Sequence, residues 1–175
     1  AEELVDRGDF DAIVMGRPFL ADPDVVNKAE AGKASTIRPC VGCNAKCLDM
    51  AMVSKPIGCI GNYECNREEE LEDENGLMPT EKKSEHPEKI LVIGAGPSGM
   101  EFARVAALRG HKVTIWEKRN RTIGLSLYAA TPPRRYDIRY FGQWLERTCR
   151  ELGVEIILNK EATAEDIIAA SKDYN

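Results

Sequence analysis

The feature that most constrains this chain is an apolar run that leads directly into a glycine-rich turn. Residues 89–93, Lys-Ile-Leu-Val-Ile, have the length and composition of a strand buried on both faces, and the turn Gly-Ala-Gly-Pro-Ser-Gly of residues 94–99 follows at once. A helix is predicted over Pro97–Leu108, and a second strand, rich in β-branched and aromatic residues, over Lys112–Glu117. The pattern predicts a parallel βαβ unit and therefore an α/β fold.

The three glycines of this turn have the spacing used for binding a pyrophosphate. Gly94 permits the tight turn, Gly96 lets the backbone approach the phosphates, and Gly99 lets the helix pack closely on the strand. Glu117, at the end of the second strand, is predicted to accept hydrogen bonds from ribose hydroxyls and to repel a 2′-phosphate, which favours FAD, ADP or NAD(H) over NADP(H). The alternative is that the glycines only pack the helix on the sheet.

Further elements extend this unit towards the end of the chain. Tyr136–Leu152 has apolar residues at helical spacing and stops at Gly153, Val154–Leu158 is predicted to be a third strand, and Ala164–Ser171 a final short helix. We therefore expect residues 89–175 to be the N-terminal half of a Rossmann-like nucleotide-binding domain, with the rest of that domain beyond them.

Four of the six cysteines follow the pattern C-x2-C-x3-C-x11-C. They are Cys40, Cys43, Cys47 and Cys59. Without a secretory leader, such cysteines indicate metal or redox chemistry rather than disulfides. Four thiolates can hold either zinc or an iron–sulfur cluster. Three cysteines within eight residues and a distant fourth favour a loop-bound [4Fe-4S] cluster over two zinc knuckles, and zinc stays as the alternative.

The two other cysteines and both histidines are predicted to lie outside any metal site. Cys149 lies in the predicted helix and is expected to be a small buried apolar residue. Cys65 is expected not to be a ligand, with a substitute ligand or a redox-sensitive thiol left open. His86 and His111 are expected at the surface, the first in a linker and the second in a turn.

Turn signals and charge divide the chain into four zones. Residues 1–38 read as helix, strand, turn and helix, with the strand at Asp11–Met15 and an Asp22-Pro23 helix start. Residues 39–66 form the cysteine loop, and residues 67–88 an acidic surface linker.

Composition excludes several classes of partner. The net charge of −5 argues against nucleic acid, which requires clustered Lys and Arg. No run reaches the roughly 20 apolar residues of a membrane helix, and the start lacks a leader, so we expect a cytoplasmic chain without a membrane partner. The chain opens inside a predicted helix without Met, as expected of an excerpt from a longer protein.

Three segments of the chain carry a family resemblance. They are Met15-Gly-Arg-Pro18, Ala21-Asp-Pro23 and Ile37-Arg-Pro-Cys-Val-Gly-Cys-Asn44. Followed by the glycine turn, they resemble the 2,4-dienoyl-CoA reductase and trimethylamine dehydrogenase group of flavoenzymes, which includes NADH:flavin oxidoreductases related to Old Yellow Enzyme. The resemblance covers nearly the whole chain. It implies the C-terminal end of an FMN-binding (β/α)8 barrel, then a [4Fe-4S] loop, then a domain for FAD or ADP.

The resemblance also implies roles for individual residues. Asp11–Met15 would be the last barrel strand, Gly16 and Arg17 would help hold the FMN phosphate, and the four patterned cysteines would ligate the cluster. Phosphate sites in such barrels do lie in loops after the last strands. The chain departs from the group after Glu117, where Ile123-Gly124 stands in place of a pair of glycines.

The expected function is therefore electron transfer in a larger enzyme. Single electrons would pass through the cluster between a nicotinamide or FAD site and FMN, with NAD(P)H as reductant and an activated C=C bond of a small molecule as acceptor. The alternatives are an amine dehydrogenase of the trimethylamine dehydrogenase type, an iron–sulfur subunit like that of glutamate synthase, and a zinc-stabilised nucleotide-binding module without redox activity. No catalytic acid or base is identified in residues 1–175, so the fragment alone is expected to be inactive, and its oligomeric state stays open.

Overall fold

The computed structural model describes residues 2–174, and its helices are mostly short in the first half of the chain. In chain order they are α1 (Glu2–Asp6), α2 (Arg17–Ala21), α3 (Val25–Glu30), α4 (Leu48–Met52), α5 (Glu68–Leu71), α6 (Pro97–Leu108), α7 (Ser126–Ala129), α8 (Tyr136–Glu151) and α9 (Ala164–Ala170), with a 3-10 turn at Ala34–Thr36. The strands are β1 (Lys89–Ile93), β2 (Lys112–Glu117) and β3 (Glu155–Leu158). In this part of the chain, no helix combines the length and the apolar character needed to cross a membrane.

The three strands form one parallel sheet in the order β1-β2-β3. Lys89 pairs with Lys112 at the start of the first ladder, and Thr114 pairs with Glu155 at the start of the second. The predicted α/β unit is confirmed, and α6 has the predicted bounds, because apolar periodicity and flanking turn residues fix these elements locally.

The hydrophobic core lies between this sheet and the helices α6 and α8, which pack against each other. Its buried members are Ala95, Met100, Ala103, Ala106, Val113, Ile115, Ile123, Trp144, Leu145, Cys149 and Val154. The middle strand β2 is the most completely covered, as expected of a parallel strand that has a neighbour on each side. This core brings the glycine turn, the end of β2 and α8 together.

The strand predicted at Asp11–Met15 does not form within the described residues. The segment is irregular, and the Val14 side chain is 98% exposed. A strand needs a neighbouring strand to receive its backbone hydrogen bonds, and residues 2–174 offer this segment none. The prediction that the segment is a barrel strand therefore stays a prediction about a larger fold.

The helix predicted to start at Asp22-Pro23 begins two residues later, at Val25. The buried Asp22 carboxylate instead accepts hydrogen bonds from the backbone N–H groups of Asp24 and Arg38 and pairs with Lys28 at 2.7 Å. A buried carboxylate is stable when hydrogen bonds and an opposite charge surround it in this way. Asp22 thus fastens the middle of the first zone to its last residue, directly before the cysteine loop.

The acidic linker contains a single helical turn, α5, and its end is attached to the nucleotide-binding unit. Ser84 donates its backbone N–H to the carbonyl oxygen of Arg109 at 2.8 Å, and Glu88 donates its own to Nδ1 of His111 at 3.1 Å. His111 therefore serves as a hydrogen-bond acceptor for the main chain.

Candidate cofactor sites

The glycine turn between β1 and α6 has the geometry that its spacing predicts. Gly94 has a positive φ of 99°, and its N–H donates to the carbonyl oxygen of Trp116 at 2.7 Å. A Cβ on Gly99 would overlap the carbonyl oxygen of Gly94 and lie 3.3 Å from Val92 Cγ1. A Cβ on Gly96 would meet nothing within 4 Å. The helix therefore packs closely at Gly99, while a side chain at position 96 would enter open space.

Glu117 lies beside this turn and is buried, with 6% of its surface exposed. Its Oε2 accepts the N–H of Ala95 at 2.8 Å, and its Oε1 accepts the N–H of Arg119 at 2.9 Å. Sequence reasoning assigned Glu117 to the ribose alone and missed these two bonds to the main chain. Since each carboxylate oxygen can accept a second hydrogen bond, these two bonds do not use up the acceptor capacity of Glu117.

The loop after β2 covers the glycine turn and is held by α8. Thr122 Oγ1 donates to Glu146 Oε2 at 2.6 Å, and Thr122 is buried. Burial opposes the charge of Glu146, but the hydrogen bonds from Thr122 and Arg150 prevail and lower the pKa of its carboxyl. Glu146 is therefore a charged anchor for this loop.

All four patterned cysteines line one cavity, which also contains Arg17 and Lys46. Positive φ values at Gly42 and Asn44 bend the main chain around it, and the N–H of Gly42 points at Cys40 Sγ at 3.4 Å. Cys59 follows α4 in the chain and still lines the same cavity as the three earlier cysteines. The spacing alone could suggest this grouping but could not establish it.

The thiols share this cavity without converging on a single point. Among residues 2–174, no three Cys, His, Asp or Glu side chains lie close enough together to hold one metal ion. A single tetrahedral zinc requires such convergence at about 2.3 Å per bond. A four-iron cluster spreads its irons over the corners of a cube and accepts thiolates that are further apart. The donor set, four thiols that line one cavity, is chemically suited to a four-iron cluster.

The two remaining cysteines lie in different surroundings. Cys149 is fully buried in the core, its Sγ lies 3.2 Å from the carbonyl oxygen of Met100, and burial raises the pKa of its thiol to about 12. Its predicted apolar role is confirmed. Cys65 is buried near Cys47 and Cys59 but does not line their cavity, and burial raises the pKa of its thiol too.

Gly16 and Arg17, the predicted phosphate residues, lie at the start of α2 beside the cysteine cavity. The Arg17 guanidinium donates to Asn44 Oδ1 at 2.7 Å, so its charge is held next to the cysteine loop. Both residues also line an adjoining apolar groove, together with Leu20, Asn44, Cys47, Leu48, Ala51 and Ile57. The structure thus brings Arg17 and the cysteines together.

Trp144 of α8 joins the first zone to the nucleotide-binding unit, a contact that sequence reasoning missed. Its Nε1 donates to the carbonyl oxygen of Thr36 at 3.0 Å. The guanidinium carbons of Arg38 and Arg104 lie 5.1 and 5.6 Å from the centre of its ring system. Cations at these distances are attracted to the indole face. The buried Trp144 side chain therefore contributes to the contact between the two regions, alongside Arg147, whose guanidinium donates to the carbonyl oxygen of Ser35.

Comparisons with known proteins agree with this arrangement. Residues 41–173 match the family model described as pyridine nucleotide-disulphide oxidoreductase. A metal reductase of Desulforamulus reducens is 48% identical over 99% of this chain and 25% of its own length. A cinnamate reductase of Clostridium sporogenes is 40% identical over 95% of this chain and 24% of its own length.

Solved structures that resemble this chain include a reductase and an amine dehydrogenase. A 2-naphthoyl-CoA reductase has a TM-score of 0.86 and 35% identity, covering 96% of this chain and 24% of that one. A histamine dehydrogenase from Rhizobium sp. 4-9 has a TM-score of 0.82 and 29% identity, and the match covers 95% of this chain and 24% of that one.

The chain spans about a quarter of the length of these relatives, and the resemblance read from the cysteine and glycine motifs is confirmed. Both reductases and amine dehydrogenases occur among the similar proteins. The chain belongs to the pyridine nucleotide-disulphide oxidoreductase family, in the branch of flavin-dependent reductases and amine dehydrogenases that its sequence resembles.

Proposed function

We propose that the complete protein is an iron–sulfur flavoenzyme in which this chain joins two cofactor sites. Cys40, Cys43, Cys47 and Cys59 hold a [4Fe-4S] cluster, Gly16 and Arg17 contact the phosphate of FMN, and the glycine turn with Glu117 binds FAD or ADP. The carrying observation is the single cavity that collects the four thiols beside Arg17. When bound, the cluster would carry single electrons to and from flavin, which can exchange electrons singly as well as in pairs.

The residues around the cysteine cavity suit a group that is negatively charged once four thiolates ligate it. Arg17 and Lys46 line it and offset part of the charge of four thiolates. The N–H of Gly42 faces Cys40 Sγ, and such donors stabilise a thiolate and tune the potential of whatever it ligates. Asn44 keeps Arg17 in place through its side-chain oxygen.

The nucleotide pocket is supported by the glycine turn and the carboxylate beside it. Gly96 exposes main chain to open space at the start of α6, where the helix dipole favours phosphate. Glu117 holds the main chain of Ala95 and presents its remaining acceptor positions to a ribose. An NAD(P)H reductant and a small organic substrate complete the proposed set of ligands.

The reaction that we propose is the reduction of an activated C=C bond with electrons from a nicotinamide. The cinnamate reductase, 40% identical, and the 2-naphthoyl-CoA reductase of similar fold support this direction. The test uses the full-length protein under anaerobic conditions. NADH or NADPH should bleach the flavin absorbance, and cinnamate or a related enoate should restore it. Bleaching by neither nicotinamide would contradict the proposal.

Amine oxidation is the second candidate, favoured by the histamine dehydrogenase of TM-score 0.82. Electrons would then enter from an amine and leave to another carrier. The same spectroscopic experiment separates the two directions, since histamine or dimethylamine would bleach the flavin in place of NADH. Bleaching by an amine and not by a nicotinamide would replace the reductase proposal by this one.

A further inference from the structure

Ile123 adopts a main-chain conformation that a β-branched residue rarely adopts. Its φ is +63°, and its side chain is buried, with 8% of the residue exposed. Branching at Cβ makes the left-handed region especially unfavourable, so the surroundings must hold the residue there. Some contact elsewhere in the fold therefore keeps Ile123 in this conformation.

Gly142, in the middle of α8, provides that contact. A Cβ on Gly142 would overlap Ile123 Cγ2 and would lie 3.0 Å from its Cδ1 and 3.1 Å from its Cβ. Glycine is unfavourable inside a helix, so its presence in α8 has a packing reason. The Ile123 side chain occupies the space that a side chain at position 142 would otherwise fill.

The neighbouring residue shows what this contact controls. Gly124 has φ +51°, and a Cβ on it would lie 3.3 Å from Gly96 Cα and 3.9 Å from Gly96 N. Gly96 is the residue of the glycine turn that faces open space. Because Ile123 turns its side chain towards α8, the loop approaches Gly96 with the main chain of Gly124.

A second bond on the same helix strengthens the attachment. Thr122 donates to Glu146, which stands one helical turn after Gly142 and therefore on the same face of α8. Two successive residues of the loop thus contact two successive turns of the helix. The loop is therefore attached to α8 at two points.

We infer that Ile123 and Gly142 are positioning residues for the dinucleotide pocket: their contact holds residues 122–124 against the glycine turn and sets the space that an adenine dinucleotide or ADP can enter. This inference rests on the proposed nucleotide site. It assigns to α8, which supplies no phosphate-binding residue in the proposal, control over how tightly that site binds.

The test compares a single variant with a double variant of the full-length protein, freed of bound nucleotide and titrated with ADP by calorimetry. Gly142→Ala should weaken ADP binding by about tenfold or more, because the new methyl group displaces Ile123 and the loop with it. Adding Ile123→Gly removes the obstructing atoms and suits the positive φ, so the double variant should bind ADP more tightly than Gly142→Ala, but more weakly than the parent because the contact with α8 is still missing. Gln143→Ala, an exposed change on the same helix, is the matched control and should leave the affinity unchanged.

Each outcome separates the inference from the function on which it rests. A parent protein that binds no ADP would overturn the nucleotide site and this inference together. A parent that binds ADP while Gly142→Ala binds equally well would overturn the inference alone, as would a double variant no better than Gly142→Ala. If Gly142→Ala fails to fold, the double variant must fold and bind ADP, and its failure to bind would equally overturn the inference.

Discussion

The two halves of this chain reach their structures in different ways. Residues 89–174 contain the three-stranded sheet and the whole buried cluster of the core, whose members run from Ala95 to Val154. Residues 2–66 contain only short helices and a 3-10 turn, and their buried apolar residues, as far as the structure describes them, are Ala21 and Cys65. The nucleotide-binding half has an apolar core of its own, whereas the cysteine half has almost none.

This difference indicates what each half needs in order to be stable. A domain with a packed core can offset the conformational entropy of its chain by burying apolar surface. A cysteine-rich loop without a core depends on metal–thiolate bonds, because binding a metal then supplies much of the free energy of folding. We therefore expect loss of the cluster to affect the cysteine half selectively.

The largest effect is expected from replacing a proposed cluster ligand. Cys47→Ser in the full-length protein should remove nearly all bound iron and make residues 39–66 exchange amide hydrogens rapidly. The sheet of residues 89–158 should keep its protection, because its core contains none of the four ligands. Iron analysis and hydrogen exchange read by mass spectrometry measure both effects.

Cys149→Ser is the control for this experiment, since it changes a buried thiol outside the cavity. It should keep the iron while lowering the stability of the sheet. The comparison between the halves fails if Cys47→Ser retains its iron, or if the sheet loses protection to the same extent as the cysteine loop.

The second effect in size concerns Glu117, which acts within the nucleotide-binding half. Glu117→Ala removes the acceptor for two backbone N–H groups and the proposed partner of the ribose, and a lost bond to a charged group costs about 1.5–3 kcal/mol. Adenine-dinucleotide affinity should fall roughly ten- to a hundredfold, because each 1.4 kcal/mol is a factor of ten. Calorimetry with FAD, ADP and NADH measures this change.

Lys118→Ala, at the exposed neighbouring position, should leave those affinities unchanged. Iron and FMN contents should stay at parental levels in both variants, because Glu117 lies outside the cysteine cavity. Equal affinity for all three nucleotides before and after Glu117→Ala would remove Glu117 from the pocket.

The third effect tests Arg17 in the other half. Arg17→Ala should increase the loss of FMN from the full-length protein roughly tenfold, as expected for removing one charge-assisted bond to a phosphate. The iron content should not change. Flavin analysis after repeated dilution and concentration measures the retention.

Asn44→Gly gives a matched comparison, because glycine suits the positive φ of this position and only the bond to Arg17 is lost. It should lower FMN retention less than Arg17→Ala does. If FMN occupancy is unchanged in the Arg17 variant, the arginine only braces the start of α2 and the cysteine loop.

The smallest effect is expected at the contact between the halves. Trp144→Phe keeps an aromatic ring near Arg38 and Arg104 but removes the hydrogen bond to the Thr36 carbonyl, worth about 1 kcal/mol of stability. Urea unfolding followed by circular dichroism should show this loss. Trp116→Phe is the control, because this indole has no such bond to the first zone. An equal loss of unfolding free energy in that variant would indicate that Trp144 has no special part in joining the halves.

The regular elements of the second half could be predicted because their signals are local. Apolar periodicity and flanking glycines determine β1, α6, β2 and α8 within a few residues of their observed ends. The grouping of the cysteines could be proposed from spacing, since three of them lie within eight residues.

The rest depends on contacts between distant residues. The bond from Trp144 to Thr36 spans 108 positions, and no pattern along the sequence reveals it. The fit of Ile123 against Gly142 explains why an isoleucine can stand where the resembling group has glycine, yet sequence reasoning saw only the substitution. The strand at Asp11–Met15 was predicted from composition alone, and the described residues form no strand there.

The most direct test of the account is the metal content of the full-length protein, purified and reconstituted without oxygen. We predict four irons and four inorganic sulfides per chain, with broad visible absorbance from iron–thiolate charge transfer. The irons, the sulfides and the absorbance should all be lost when any of the four patterned cysteines becomes serine. One zinc per chain, with no iron taken up under the same conditions, would contradict the central claim that the cysteine half folds around an iron–sulfur cluster.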